Sequence, residues 1–329
     1  MNWYGKSILV TGAGGFIGSH LTERLAREGA RVRAFVRYNS RHDVGLLSLL
    51  PRELLASIEV VSGDLRDGEA VRKAVSGAEV VFHLGALIAI PYSYLHPREV
   101  VETNVLGTLN VLLAARDLGT PRVVHTSTSE VYGTARYVPI DEVHPVQGQS
   151  PYSASKIGAD KIAESFYRSF GVPVATIRPF NTYGPRQSAR AVIPTIIAQA
   201  LAGNEIRLGA LDPVRDFTYV DDSVEGFLRV GWFEQAVGQE VNVGAGECIS
   251  IGDLAARILA LTGRDLPILG EEQRLRPAGS EVMTLHASAG KARQLIGWEA
   301  RVTLDEGLRR TIEWIGQHLE RYRPDVYEV

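Results

Sequence analysis

Tyr152 and Lys156, in the stretch Tyr-Ser-Ala-Ser-Lys, have types and a spacing that suit acid–base chemistry. On a helix, positions i and i+4 share a face, with Cβ atoms about 5–6 Å apart. A lysine ammonium placed there favours the anionic form of a phenol whose ordinary pKa is about 10. A phenolate at the mouth of a cofactor site can take the proton of a hydroxyl while the hydride of the same carbon leaves. Tyrosine and lysine four apart are also common on solvated helices. The pair gains weight from Thr11 to Gly18 upstream and from Thr126-Ser127-Thr128-Ser129-Glu130-Val131-Tyr132-Gly133 between.

Thr11-Gly12-Ala13-Gly14-Gly15-Phe16-Ile17-Gly18 places four glycines at a strand-to-helix junction. Gly12, Gly15 and Gly18 let backbone amides approach a pyrophosphate, Phe16 and Ile17 are further candidates to bind the cofactor, and the N-terminus of the helix that follows adds partial positive charge. A glycine-rich turn that only packs helix on strand has the same composition. Its place after a short first strand favours dinucleotide binding. At the end of the second strand, Val36 stands where an acid would bind the ribose 2′-hydroxyl of NAD, and Arg37 follows. An arginine can pair with a 2′-phosphate, so Arg37 tips the expectation toward NADP over NAD. A solvated arginine beside the adenine pocket is the plainer reading. Asp64, followed by Leu65, can bond adenine or cap the next helix. Leu84-Gly85-Ala86 would let a cofactor pass close over the backbone.

The elements that must position these residues follow from the pattern of apolar runs. Strands are expected at Ser7–Val10, Arg31–Val36, Ile58–Ser62, Val80–Leu84, Arg122–Ser127 and Val174–Arg178. Helices are expected between them near Ser19–Glu28, Glu69–Val75, Pro97–Asp117 and Tyr152–Phe170. This alternation implies an α/β fold with a parallel sheet. After Pro179 the loops lengthen. A helix over Pro194–Ala202, a buried strand at Glu240–Val243 returning to the first sheet, and a C-terminal helix at Leu304–Leu319 after Lys291–Trp298 complete the reading. The expected division is a cofactor domain over 1–180 and a smaller, interleaved α+β substrate lobe over 181–329.

The chain has 329 residues, of which 45% are hydrophobic and 22% charged, so there is ample material for a core. A net charge of −3 favours neither nucleic acid nor an anionic membrane surface. The lone Cys248 allows no internal disulfide and agrees with a reducing cytoplasm. No secretory leader or membrane span is expected, because Met1–Lys6 runs straight into a strand and no apolar run is long enough. The eight histidines show no metal-ligand spacing, so no metal is expected.

The motifs occur in the order Thr-Gly-x-x-Gly-x-x-Gly, Ser-Thr-Ser-Glu-Val-Tyr-Gly, Tyr-x-x-x-Lys, Arg178-Pro-Phe-Asn181-x-Tyr-Gly-Pro and Arg215-Asp-Phe-Thr-Tyr-Val-Asp-Asp. Together they resemble the extended short-chain dehydrogenase/reductases that act on nucleotide sugars, over nearly the whole chain. The nearest likeness is to NAD(P)-dependent sugar-nucleotide 4,6-dehydratases, particularly those of legionaminic-acid-type pathways. Ile88 to Ser93 and Pro185 to Arg190 add to that likeness. The resemblance implies a Rossmann-type doubly wound sheet and a nicotinamide cofactor that stays tightly bound, since the cycle consumes none. It also implies a homodimer formed through the helices at 97–117 and 152–170.

It implies roles for individual residues as well. Thr128, on the strand before Val-Tyr-Gly, would bond the sugar O4 and share its proton with Tyr152. Glu130 would remove the C5 proton, which becomes acidic once C4 is a ketone; it could instead cap a helix or pair with a lysine. Lys156 would also bond the nicotinamide ribose. Thr-Ser-Glu matches GDP-mannose 4,6-dehydratases and departs from the Thr-Asp-Glu of dTDP-glucose 4,6-dehydratases. Here the acid for the departing C6 hydroxyl is Ser129, Tyr152 or a water. The same triplet occurs in UDP-glucuronate decarboxylases, and simple C4 epimerases usually lack the glutamate. Decarboxylation and epimerisation therefore stand as alternatives. Asn181, Arg190, Arg215, Arg276 and Ser93 would meet the substrate, with the arginines gripping phosphate or ribose. Asn104 would order backbone or water near the triad.

Overall fold

The computed structural model describes residues 1–323; residues 324–329, the end of the expected lobe, lie outside the described residues. Seven strands form one wholly parallel sheet: β1 (Ser7–Thr11), β2 (Arg31–Arg37), β3 (Glu59–Gly63), β4 (Val80–His83), β5 (Val123–Thr126), β6 (Val174–Pro179) and β7 (Glu240–Val243). Their order is β7-β6-β5-β4-β1-β2-β3. The order reverses between β1 and β4, and open α/β sheets bind ligands in the crevice at such a switch point.

The strands read as near-continuous apolar runs because both faces are covered. Side chains alternate between them. Ile8, Val10, Phe82, Val124 and Ile177 point to one core, while Leu9, Val81, Val123 and Val174 point to the other. The first face carries α1 (Phe16–Arg27) and α5 (Val220–Trp232). The second carries α2 (Gly68–Val75), α3 (Gly107–Leu118) and α4 (Pro151–Phe170).

Helix α4, which bears Tyr152 and Lys156, is fixed at both ends. Ser150 and Ser153 form a reciprocal capping box, Pro151 takes the first turn, and Gly171 ends the helix at φ 66°. The expected single helix over 97–117 is instead Pro97–Val101, a π-helical turn Glu102–Leu106, and α3. Such a π turn inserts one residue into an α-helix and is frequent at functional sites.

After β6 the chain builds a lobe from helices Val192–Ala202, Ile251–Thr262 and Leu304–Gln317. A three-stranded sheet (Cys248–Ser250, Val214–Asp216, Thr284–Leu285) and a short parallel pair (Ile206–Leu208, Ile268–Gly270) belong to it as well. Ile196, Leu254, Ile258, Leu308 and Ile315 join the core under α1 and α5, so lobe and sheet share one apolar interior. Among the described residues no helix is long and apolar enough to cross a membrane.

Candidate active site

At the C-terminal ends of β1, β2 and β4 lies an open cleft of about 140 Å³. Gly12, Phe35, Arg37, Gly63, Asp64, Leu65, Arg66 and Ala86 are among the residues that line it. Gly12, Arg37, Asp64, Leu65 and Ala86, singled out in the sequence, thus meet in one place. Gly12 has φ +69°, and a Cβ there would come within 2.7 Å of the Gly85 amide nitrogen. The β1 and β4 loops can touch only because that side chain is missing. At Gly18 a Cβ would strike the Gly12 carbonyl oxygen at 2.1 Å, so this glycine seats α1 on the loop. Helix α1 begins at Phe16 with no side-chain cap, which leaves the first-turn amides of Phe16, Ile17 and Gly18 to an external acceptor. A dinucleotide fits this donor set: a bare helix N-terminus for its pyrophosphate and an apolar slot with a cation at its end.

Two readings at the rim are sharpened. The next helix is capped by Asp67, not Asp64. Asp64 instead accepts from the Arg66 amide and guanidinium at 2.7–3.0 Å, which holds its carboxyl below the usual range. Arg37 is exposed and pairs with Glu99 at 3.4 Å.

A second group lies at the end of β5. Thr128 is not on the strand: β5 stops at Thr126, and Thr128 is the N-cap of the 3-10 turn Ser129–Tyr132, accepting from the Glu130 amide at 3.3 Å. The strand pairing has ended, so its hydroxyl caps the turn. Tyr152 is 7% exposed and hydrogen-bonded to Thr128. Glu130 is 9% exposed; its charge acts on both Tyr152 and Arg215, and no hydrogen bond or ion pair engages its carboxylate among the described residues. Ser129 is buried within the same turn.

The expectation that Lys156 holds Tyr152 partly ionised needs correction. The Lys156 ammonium donates to the Thr126 carbonyl at 2.6 Å, and no hydrogen bond joins it to Tyr152. Burial pushes the phenol well above its ordinary value, Glu130 and Asp160 push the same way, and the bond to Thr128 opposes them. Burial meanwhile lowers Lys156 to about 8. Burial therefore favours the neutral phenol, and its work as a base would draw on the positive charge of an oxidised nicotinamide beside it.

The substrate-side candidates divide. Arg215 and Arg276 converge on Glu281, at 3.2 and 3.7 Å, and Nη1 of Arg276 is buried without a hydrogen-bond partner. Asn181 has a buried, unpartnered Oδ1. Arg190 is exposed, and among the described residues it bonds only locally, to Ser188. Ser93 is fully buried, its hydroxyl donated to the Ile90 carbonyl at 2.7 Å.

Several further residues support the site: His83, Thr108 and Asp160, which sequence reasoning passed over, and Asn104, which it expected to order backbone or water. The Gly85 amide donates to the Thr11 hydroxyl, which meets His83 Nδ1 at 2.8 Å; His83 Nε2 meets Thr108, which donates to the Asn104 carbonyl. The last donation leaves Thr108 only an acceptor role toward His83. His83 therefore carries its proton on Nε2 and accepts from Thr11 at Nδ1. Burial pushes its pKa far down and keeps it neutral. Asn104, in the π turn, bonds both backbone groups of Leu87 and the Ser155 hydroxyl, tying the β4 loop to α4. Asp160 is buried beneath Lys156 and holds His125, Ser127 and Arg178. The only sequence signal for it was its place one turn beyond Lys156.

Comparisons with known proteins agree with this architecture. The family model for GDP-mannose 4,6 dehydratase matches residues 9–311. A UDP-glucose 4-epimerase of Mycolicibacterium smegmatis is 34% identical over 93% of this chain and 97% of its own. UDP-glucuronic acid decarboxylase 1 of Xenopus tropicalis is 31% identical over 98% of this chain and 75% of its own. The crystal structure of a dTDP-glucose 4,6-dehydratase from Streptomyces venezuelae with NAD bound superposes with a TM-score of 0.85. It is 28% identical and covers 97% of this chain and 99% of that one. Dehydratase, epimerase and decarboxylase relatives thus stand at similar distances, and all act on nucleotide sugars. The chain belongs to the GDP-mannose 4,6-dehydratase family of extended short-chain dehydrogenase/reductases.

Proposed function

We propose that this protein is an NAD(P)-dependent nucleotide-sugar 4,6-dehydratase, converting an NDP-hexose to its 4-keto-6-deoxy form. The observation that carries the reading is Glu130: a carboxylate free of protein partners, beside Tyr152 and facing Arg215. Oxidation at C4 alone needs no such base, whereas loss of water across C5–C6 does.

In this reading Tyr152, with Thr128 sharing the proton, deprotonates the C4 hydroxyl. The α1 N-terminus would hold the pyrophosphate of a nicotinamide dinucleotide, which would supply the acceptor and later the donor of the hydride. Lys156 holds positive charge under the reacting phenol and would bond the nicotinamide ribose. Glu130 removes the C5 proton, and the C6 hydroxyl leaves as water, protonated by Ser129, Tyr152 or a solvent molecule. Arg215 and Arg276 grip the diphosphate or the nucleotide ribose, with Asn181 against the sugar. Arg37 favours NADP, and a cycle without net redox change suits a tightly held cofactor.

The relatives keep decarboxylation of a UDP-glucuronate, or C4 epimerisation, as the competing readings. Product mass separates them. Incubation with GDP-, UDP- and dTDP-sugars, read by mass spectrometry, should show loss of one water. Loss of carbon dioxide, or only mass-neutral isomers, would refute the dehydratase reading.

A further inference from the structure

Tyr152, Lys156 and Asp160 occupy positions i, i+4 and i+8 of α4 and form one buried stripe at 7%, 4% and 3% exposure. Lys156 donates its one hydrogen bond to a neutral acceptor, the Thr126 carbonyl, and makes no ion pair among the described residues. A buried ammonium without a counter-charge is costly. Asp160 is the carboxylate on its own stripe.

Asp160 is held from two strands. His125 Nε2 on β5 lies 3.0 Å from Oδ1; Ser127, just beyond β5, donates to Oδ2 at 2.7 Å, and Arg178 Nη2 on β6 donates to Oδ2 at 3.0 Å. Carboxylates accept only, so His125 carries its proton on Nε2.

We propose that Asp160 is a positioning residue of the candidate site: a permanent buried carboxylate whose charge keeps Lys156 an ammonium beneath the reacting hydroxyl. The inference rests on the reading of Tyr152 and Lys156 as the acid–base pair. The three donors drive Asp160 down to about 2, so it stays ionised wherever the enzyme works. Burial lowers Lys156 to about 8, and Asp160 is the charge that opposes the fall. The other charges in the neighbourhood do not replace it. His83 on β4 and His125 on β5 face Lys156 and are neutral because they are buried. Arg178 repels a cation. Glu240 on β7 is committed to Arg178 at 2.9 Å, and Glu130 faces Tyr152 and Arg215. Stability gives a weak reason for the carboxylate. Arg178 already has Glu240 and the Tyr132 hydroxyl, and a buried ion pair is a poor stabiliser in itself.

Removing the negative charge has a signature that a packing defect lacks. Asp160 raises the pKa of Lys156 and of Tyr152 alike. In the near-isosteric Asp160→Asn variant both fall. The base then works at lower pH and the ammonium is lost at lower pH, so the whole bell-shaped profile of turnover moves to acid, by about one unit. On its alkaline side the rate drops about 10-fold, while Asp160→Glu, which keeps the charge, holds the wild-type position. A profile reduced in height with both limbs unmoved would overturn the inference.

Carbon-13 NMR of the wild-type holoenzyme tests the same point if Asp160→Asn fails to fold. Lys156 should be charged at neutral pH and the Asp160 carboxyl ionised throughout the working range; a neutral Lys156 or an Asp160 titrating near neutrality would overturn it. Lys156→Ala separates the two layers. Full turnover in that variant removes the acid–base reading and this inference with it. An inactive Lys156→Ala beside an unmoved Asp160→Asn profile removes the Asp160 role alone.

Discussion

Glu130 and Arg37 are single side chains on which the chemical reading turns. Glu130→Gln keeps the shape of the side chain and removes the base. Turnover should fall about 10²- to 10⁴-fold, and solvent deuterium should no longer enter C5 of the sugar, while cofactor binding is retained. Unchanged C5 exchange would take Glu130 out of the mechanism. Arg37, exposed at the end of β2, pairs with Glu99 and lines the cleft beside Arg66. Arg37→Ala should weaken NADP binding about tenfold, read by fluorescence titration, and leave NAD binding nearly unchanged; equal losses for both would assign the side chain to the surface. Tyr152, Lys156 and Glu130 were legible because each sits in a contiguous motif. Asp160 and His83 were not, because their partners lie on neighbouring strands far away in sequence, and only the sheet brings them together.

At the scale of elements, the loop after β6 is fastened to α1. Arg186 adopts φ 70°, unusual for a residue with a side chain, and its guanidinium pairs with Glu23 of α1 at 2.5 Å. His20, also on α1, meets the Pro185 carbonyl at 2.9 Å. The loop after β6 is therefore tied to the helix proposed to receive the pyrophosphate. Burial first, and then the Arg186 charge, lower His20 from the ordinary 6.5 to about 4. The unfolded chain takes up this proton near 6.5 and the folded protein only near 4. The stability contributed by the neutral imidazole is complete above 6.5 and is lost as pH falls toward 4. Thermal melting should show the midpoint dropping across that window, and His20→Asn should flatten the drop; an equally steep drop in the variant would deny His20 the role. Strands and most helices were readable from apolar alternation. The π turn at Glu102–Leu106 was not, because one inserted residue leaves the helical period of its surroundings almost intact.

For the whole molecule, lobe and sheet share one apolar interior, and Glu130, beside Tyr152, faces Arg215 of the lobe. The helices beside α4 leave Val101 and Leu106 in solvent, and Phe170 at the end of α4 is 54% exposed. We propose that a second copy of the chain covers this face. Sedimentation should show a dimer for the wild type and a monomer for Leu106→Asp; a wild-type monomer would refute that proposal.

The central claim is that one hexose ring meets both Tyr152 and Glu130 in a single cycle of oxidation, water loss and hydride return. The most direct measurement follows an NDP-hexose deuterated at C4 through one incubation. The account predicts a 4-keto product that has lost one water and carries the deuterium at C6. Deuterium found back at C4 of a sugar that keeps its C6 hydroxyl would contradict it.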